Sequence, residues 1–365
     1  MKKELPKKVY IEGANLAALT AAARLSKFKY QVTLNGDTYR NTVIDSFSFD
    51  TAPLFTLPAV YRDFFQKTGK HFGQVLNVIP MDPAFRFDFG ELQINFANLS
   101  RSARLNEITE KLGADAAVEW EKALKQGEYL WDRIRENMVE WEFSLLRFNP
   151  DTYLRMRAPL IRNPYLNKIM AHYSTYLGYP AGIYKWSHIA AFVEESFGIW
   201  QIEGGLEALT ESVKNRALEL GTTFGQRRDF DYYIDATQTH SVPTQRLIGI
   251  SDYPGQLPIR TVQFHKDGKS TDIYASQLGD LDEGMYSLVL TGDLSITDFD
   301  SYARVDQIRQ GQSGDSDNQL VTKIRTPNKR KLKVRHLDSL AHAGIAGELL
   351  ANAVRGIKNR PSHEH

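Results

Sequence analysis

The stretch VYIEGANLAALTAAARL at residues 9–25 constrains the chain more than any other. An apolar run meets a glycine turn and then a segment of alanines and leucines with no proline. This order predicts a strand at KVYIE, a helix over Leu16–Phe28 and a second strand at YQVTL. The helix is apolar nearly all round, with Leu16, Leu19, Ala22, Ala23 and Leu25. Such a helix belongs against a buried parallel sheet, as the crossover of a βαβ unit.

A tight strand-to-helix turn of this kind is where a dinucleotide's pyrophosphate is held, and the fingerprint is G-x-G-x-x-G. Its three positions fall on Gly13, Asn15 and Ala18. The first glycine makes the turn, the second lets backbone N–H groups approach phosphate, and the third lets helix and strand pack closely. Gly13 keeps the first role, and Ala18 serves for the third. Asn15 is the departure: it tolerates positive φ, but it places a side chain where phosphate approaches.

At 365 residues the chain suits two domains, or one with an insertion. A formal charge of +1 argues against a nucleic-acid partner. With no cysteine, thiolate catalysis, disulfides and zinc–thiolate sites are excluded. The 17 Tyr, 19 Phe and 5 Trp can line a large apolar cavity or a thick core. No run of 18 apolar residues is present, and the apolar run behind MKKELPKK is too short for a signal peptide. The expected location is the cytoplasm. Peripheral membrane contact is left open through RTPNKRKLKVR at 325–335, most simply a solvated turn and strand.

Further along, Pro58–Gly69 reads as a helix started by proline and stopped by glycine. Residues 75–97 alternate as strands with a turn at Gly90. A long helix is expected from Ala114 to about Leu146, on the stripe Ala117, Trp120, Leu124, Trp131, Ile134, Met138, Trp141 and Leu145. Shorter helices follow near Tyr165–Leu177 and Lys185–Ser196. IWQIEGG is a strand entering a helix, DYYIDA another core strand, 258–291 a strand-rich region and Ala343–Ile357 a closing helix. The fold class expected is α/β: a Rossmann-like, glutathione-reductase-type domain assembled from 1–74, 198–257 and 320–365. A mixed α+β substrate domain, 75–197 and 258–319, is inserted in it.

Four segments carry a family resemblance: FSFDTAPLFTLPAVYRDFFQKTG at 47–69, NPYLNKIMAHYSTYLGYP at 163–180, GIWQIEGGLEALTESVKNRALELG at 198–221 and LDSLAHAGIAGELLANAVRGI at 337–357. In this order they resemble the flavin-dependent phytoene (carotenoid) desaturases, within the amine-oxidase-like flavoproteins. The resemblance implies FAD as cofactor and a long apolar isoprenoid as substrate, with desaturation or isomerisation as outcome. It implies flavin-facing segments at Thr51, Pro53, Gly204, Gly205 and Asp338, with Thr51 and Pro53 toward substrate. It assigns no catalytic residue.

The cofactor motif is degenerate beyond Asn15. The acid that grips the ribose, about twenty positions after the first glycine, falls on Gly36, with Asp37 beside it. The family's G-G-R loop is replaced by DTYRNTVIDS, where Arg40 alone can act for the arginine. GTTFGQRRDFDYYIDA passes almost directly into the next strand, so the family's intervening meander is missing, and Leu337 replaces the glycine before Asp338.

Each motif also has a plain structural role: a packed βαβ unit for the first turn, a strand-to-helix turn for Gly204-Gly205, capping or turn roles for Asp50 and Thr51. His172, His188 and His342 lack metal-ligand spacing. Two hypotheses remain: a flavoprotein oxidoreductase, or a cofactor-free homologue that binds an isoprenoid or regulates a partner desaturase. A nicotinamide-only dehydrogenase is weaker, since it too needs an acid after the second strand.

Overall fold

The computed structural model describes residues 6–50, 55–135, 160–176, 184–226, 228–237, 243–277, 281–295, 299–311, 323–328, 331–335 and 340–357. Strands β1 (Lys8–Glu12) and β2 (Gln31–Asn35) run parallel in the register Val9↔Val32 and Ile11↔Leu34, joined by helix α1 (Leu16–Lys27). Strands β9 (Thr223–Phe224), β10 (Tyr232–Asp235) and β17 (Lys331–Arg335) extend the parallel sheet, and β16 (Lys323–Asn328) closes one edge antiparallel. The order is β16-β17-β10-β1-β2-β9. β1 and β10 therefore stand together although over 200 residues separate them, as a domain built from distant segments requires.

One face of this sheet is covered by helices. Val9, Ile11, Val32, Leu34, Ile234 and Leu332 meet α1, α2 (Ala59–Thr68), α7 (Gly205–Glu219) and α8 (Leu340–Val354) in one apolar core. The alanines of α1 let it lie close to its neighbours while staying buried.

The other face is buried at the centre of the sheet, at Tyr10 and Thr33, but by polar and aromatic side chains. Strand residues pointing there include Lys8, Tyr10, Glu12, Thr33 and Tyr233, none of which belongs to the apolar core. Tyr10 stacks on Phe230 at 5.8 Å between ring centroids, the Tyr233 hydroxyl donates to Glu12, and Phe230 is itself 38% exposed. Thr33 and Thr223 pair through their hydroxyls at 3.2 Å. Between Phe224 and Tyr232 there is no strand among the described residues, in keeping with the missing meander.

A second sheet has the order β15-β11-β14-β13-β12-β6-β7, from β6 (Phe85–Asp88), β7 (Gln93–Phe96), β11 (Gln245–Ile250), β12 (Arg260–Phe264), β13 (Ser270–Ser276), β14 (Tyr286–Gly292) and β15 (Ala303–Arg309). Strand β11 thus pairs in this sheet, although 198–257 is assigned by sequence to the first unit. Helices α3 (Arg101–Leu112), α4 (Ala114–Arg135), α5 (Pro164–Tyr176) and α6 (Tyr184–Phe197) accompany it. Its core gathers Phe85, Phe87, Phe96, Trp120, Leu124, Ile169, Tyr173, Val262 and Tyr274. The part of the long expected helix beyond Arg135, and its Trp141, lie outside the described residues.

The two sheets are tied together. β5 (Val78–Pro80) pairs antiparallel with β8 (Trp200–Ile202). The hairpin of β3 (Thr42–Ile44) and β4 (Phe47–Phe49), which follows directly from the first βαβ unit, places Phe47 and Phe49 in the second core.

Candidate functional site

The carboxyl ends of β1, β2 and β10 meet at Gly13. Its N–H donates to the Asn35 carbonyl at 2.8 Å, and the Ala236 N–H donates to the Glu12 carbonyl at 2.7 Å. Gly13 has φ 102, and a Cβ there would overlap the Ala236 carbonyl. Gly36 has φ 141, and a Cβ there would stand 3.1 Å from the Ala14 nitrogen. Both glycines are thus required by close approach of backbone to backbone. At position 36 an acid would have to adopt this positive φ or shift the turn.

Asn15 is the N-cap of α1. Its φ of −71 makes no use of asparagine's tolerance for positive φ. The side chain folds inward: Oδ1 accepts from the Ala18 N–H at 3.0 Å, and Nδ2 donates to the Ala236 carbonyl at 2.9 Å. Ala18 is fully buried, as the third position of the motif demands. The N–H groups of Leu16 and Ala17, in the first turn, have no intrahelical carbonyl to bond.

Asp37 and Arg40 are exposed on the loop after β2, and no hydrogen bond or ion pair engages either among the described residues. The loop is held against α7: Glu207 accepts from the Asn41 N–H at 2.9 Å and Glu211 from the Thr38 hydroxyl at 3.3 Å. The second motif is thereby brought beside the first. At its start, Gly204 and Gly205 turn the chain into α7 with φ 78 and 71. Asp50, 3% exposed, accepts from the Leu206 N–H at 3.3 Å, the capping role expected of it. Burial pushes the Tyr274 phenol of β13 well up, and the Asp50 charge adds to this while Arg260 opposes it.

Thr51, Pro53 and Asp338 lie outside the described residues. His172 is buried, 3.9 Å from Asp272, with its ring edge-on to Phe87 and Phe264. Desolvation holds its pKa below the ordinary 6.5, against the pull of Asp272. Among the described residues no cluster of three or more His, Asp or Glu could hold a metal ion. The Ala236 carbonyl and the acidic face of α7 are participants that the motif spacing did not disclose. A carbonyl has no sequence signature, and no motif spacing singles out Glu207 or Glu211.

A mainly parallel sheet with helices packed on it, a glycine turn at the end of its first strand and a second, mixed sheet make a Rossmann-type α/β fold. The fold is similar to that of an oxidoreductase from Methanosarcina mazei (TM-score 0.59, 11% identity, 93% of this chain and 99% of that one). A putrescine oxidase variant gives TM-score 0.58 at 10% identity, over 96% of this chain and 99% of that one. In sequence the chain is similar to carotenoid desaturases. It is 23% identical over 240 residues to a zeta-carotene-forming phytoene desaturase of Myxococcus xanthus, a match covering 60% of this chain and 46% of that protein. Other curated matches, at 20–25% identity, are carotenoid desaturases and oxygenases. The chain spans about half the length of the curated relatives it matches. No protein-family model matches it.

Proposed function

We propose that the chain is an FAD-dependent oxidoreductase of the carotenoid-desaturase type, acting on a long apolar isoprenoid. The observation that carries this is the meeting of three strand ends and the start of α1 at Gly13, in a chain similar to carotenoid desaturases over 240 residues.

The residues present fit a dinucleotide at that place. Gly13 keeps the turn tight, and the Leu16 and Ala17 N–H groups, with the positive end of the helix dipole, suit a pyrophosphate. Asp37 is free to accept from ribose hydroxyls, and Arg40 to neutralise phosphate. Gly204 and Gly205 bring bare backbone alongside. When bound, FAD supplies the hydride acceptor. The chain's own contribution would be orientation and exclusion of water by the second unit, whose apolar core is built on Phe85, Phe87, Phe96, Trp120 and Tyr173. Residues 1–74, 198–257 and 320–365 would form the cofactor unit, apart from β11, and the rest the substrate unit. Among the described residues no helix is long and apolar enough to cross a membrane; delivery of a membrane-borne isoprenoid would be by peripheral contact.

The inward-folded Asn15 favours a second reading, a cofactor-free homologue that carries an isoprenoid or partners an active desaturase. The visible spectrum of the purified protein, before and after incubation with FAD and gel filtration, separates the two. Flavin absorption co-eluting with the protein is expected; a protein that stays colourless in excess FAD refutes the enzyme assignment.

A further inference from the structure

We infer that Asn15 is an internal competitor of the cofactor, so that this chain holds a dinucleotide as an exchangeable ligand rather than a permanent one; the inference rests on the flavin assignment above. The Asn15 amide takes one of the N–H groups that open α1, that of Ala18, at 3.0 Å. It is held there from the other side by its own N–H on the Ala236 carbonyl at 2.9 Å. The amide oxygen therefore occupies, at the mouth of the helix, the kind of position a phosphate oxygen takes. The start of α7 is closed in the same manner, with the buried Asp50 carboxylate on the Leu206 N–H. Both helix starts that the motifs offer to the cofactor are thus capped by side chains of this chain.

Full phosphate contact at α1 requires the amide to swing out and give up two hydrogen bonds. At the usual net worth of a protein hydrogen bond this weakens binding roughly ten- to hundred-fold. Removing the amide should restore that factor.

The test uses the full chain as wild type, Asn15→Gly, Asn15→Ala and Asn15→Asp, with FAD and separately ADP, read by flavin fluorescence and by titration calorimetry. Glycine costs little as an N-cap, and aspartate caps as well as asparagine, so cooperative melting is expected throughout. FAD and ADP should bind Asn15→Gly roughly ten- to hundred-fold more tightly than wild type, Asn15→Ala in between, and Asn15→Asp more weakly than wild type through repulsion of phosphate. Equal dissociation constants for wild type and Asn15→Gly would overturn the inference and leave the flavin assignment standing. Failure of folded wild type and folded Asn15→Gly to bind either ligand would remove the flavin assignment, and the inference with it.

Discussion

Substituting Arg104 by Met should destabilise the second unit by about 3–5 kcal/mol, the usual cost of breaking a buried ion pair from one side. Arg104, on α3, is fully buried. Its guanidinium lies 3.7 Å from Glu194 and 3.8 Å from Glu195, donates to the Ala97 carbonyl at 3.0 Å and covers the Phe96 ring at 4.7 Å. Methionine keeps most of the volume and the apolar contact with Phe96, so the loss is chiefly electrostatic. Glu195 keeps Arg101 as a partner, whereas fully buried Glu194 keeps the Tyr173 hydroxyl at 2.9 Å and loses its nearby cation. The cost should therefore fall mainly on Glu194, and adding Glu194→Met should recover at least half of it. Urea unfolding followed by tryptophan fluorescence gives the four corners of the cycle. The deficit of the single variant should also shrink toward acid pH, where the carboxyl left behind takes up a proton. A loss below about 1 kcal/mol, or a double variant no more stable than Arg104→Met, would refute the view that this cation neutralises a buried carboxylate.

Three further outcomes are expected. Gly13→Ala meets the Ala236 carbonyl at φ 102 and should cost about 2 kcal/mol or more, measured as a fall in melting temperature, with flavin uptake reduced in parallel. Burial holds the His172 pKa below 6.5, so the unfolded chain takes the proton first as pH falls; the stability this contributes is present above pH 6.5 and is lost progressively below it. His172→Phe should flatten the melting temperature between about pH 7 and about pH 5, and an unchanged slope would refute this reading of the site. Phe230→Ser on the thinly covered sheet face should cost about 1 kcal/mol, against about 3 kcal/mol for Leu209→Ala in the helical layer, and equal costs would show that the two faces are alike.

The first βαβ unit was legible because its signals agree: β1 and β2 flank a helix whose buried positions are mostly alanine and leucine, and Gly13 fixes the turn. The end of α2 at Gly69, with φ 89, and the turn at Gly90, with φ 86, were likewise readable from residue type. Helix α3 was not, because its buried positions are Arg104 and Ile108. A stripe that hides an arginine leaves no apolar period, and only the caps at Ser100 and Gly113 mark the element. The assignment of 198–257 to the first unit overlooked β11, since an apolar strand carries no label for the sheet it will join. At the candidate site the motif positions Gly13, Asn15 and Ala18 were found by spacing. What Asn15 does there was beyond reach, because its partner Ala236 is 221 positions away and acts through its backbone.

The short β3–β4 hairpin leaves the βαβ unit and sets Phe47 and Phe49 into the core of the other sheet, and Asp50 returns to cap α7. The chain is thereby stitched rather than hinged. A fragment ending before the second sheet would leave two phenylalanines bare, and one beginning after residue 50 would lack them. Neither half should be expressible alone.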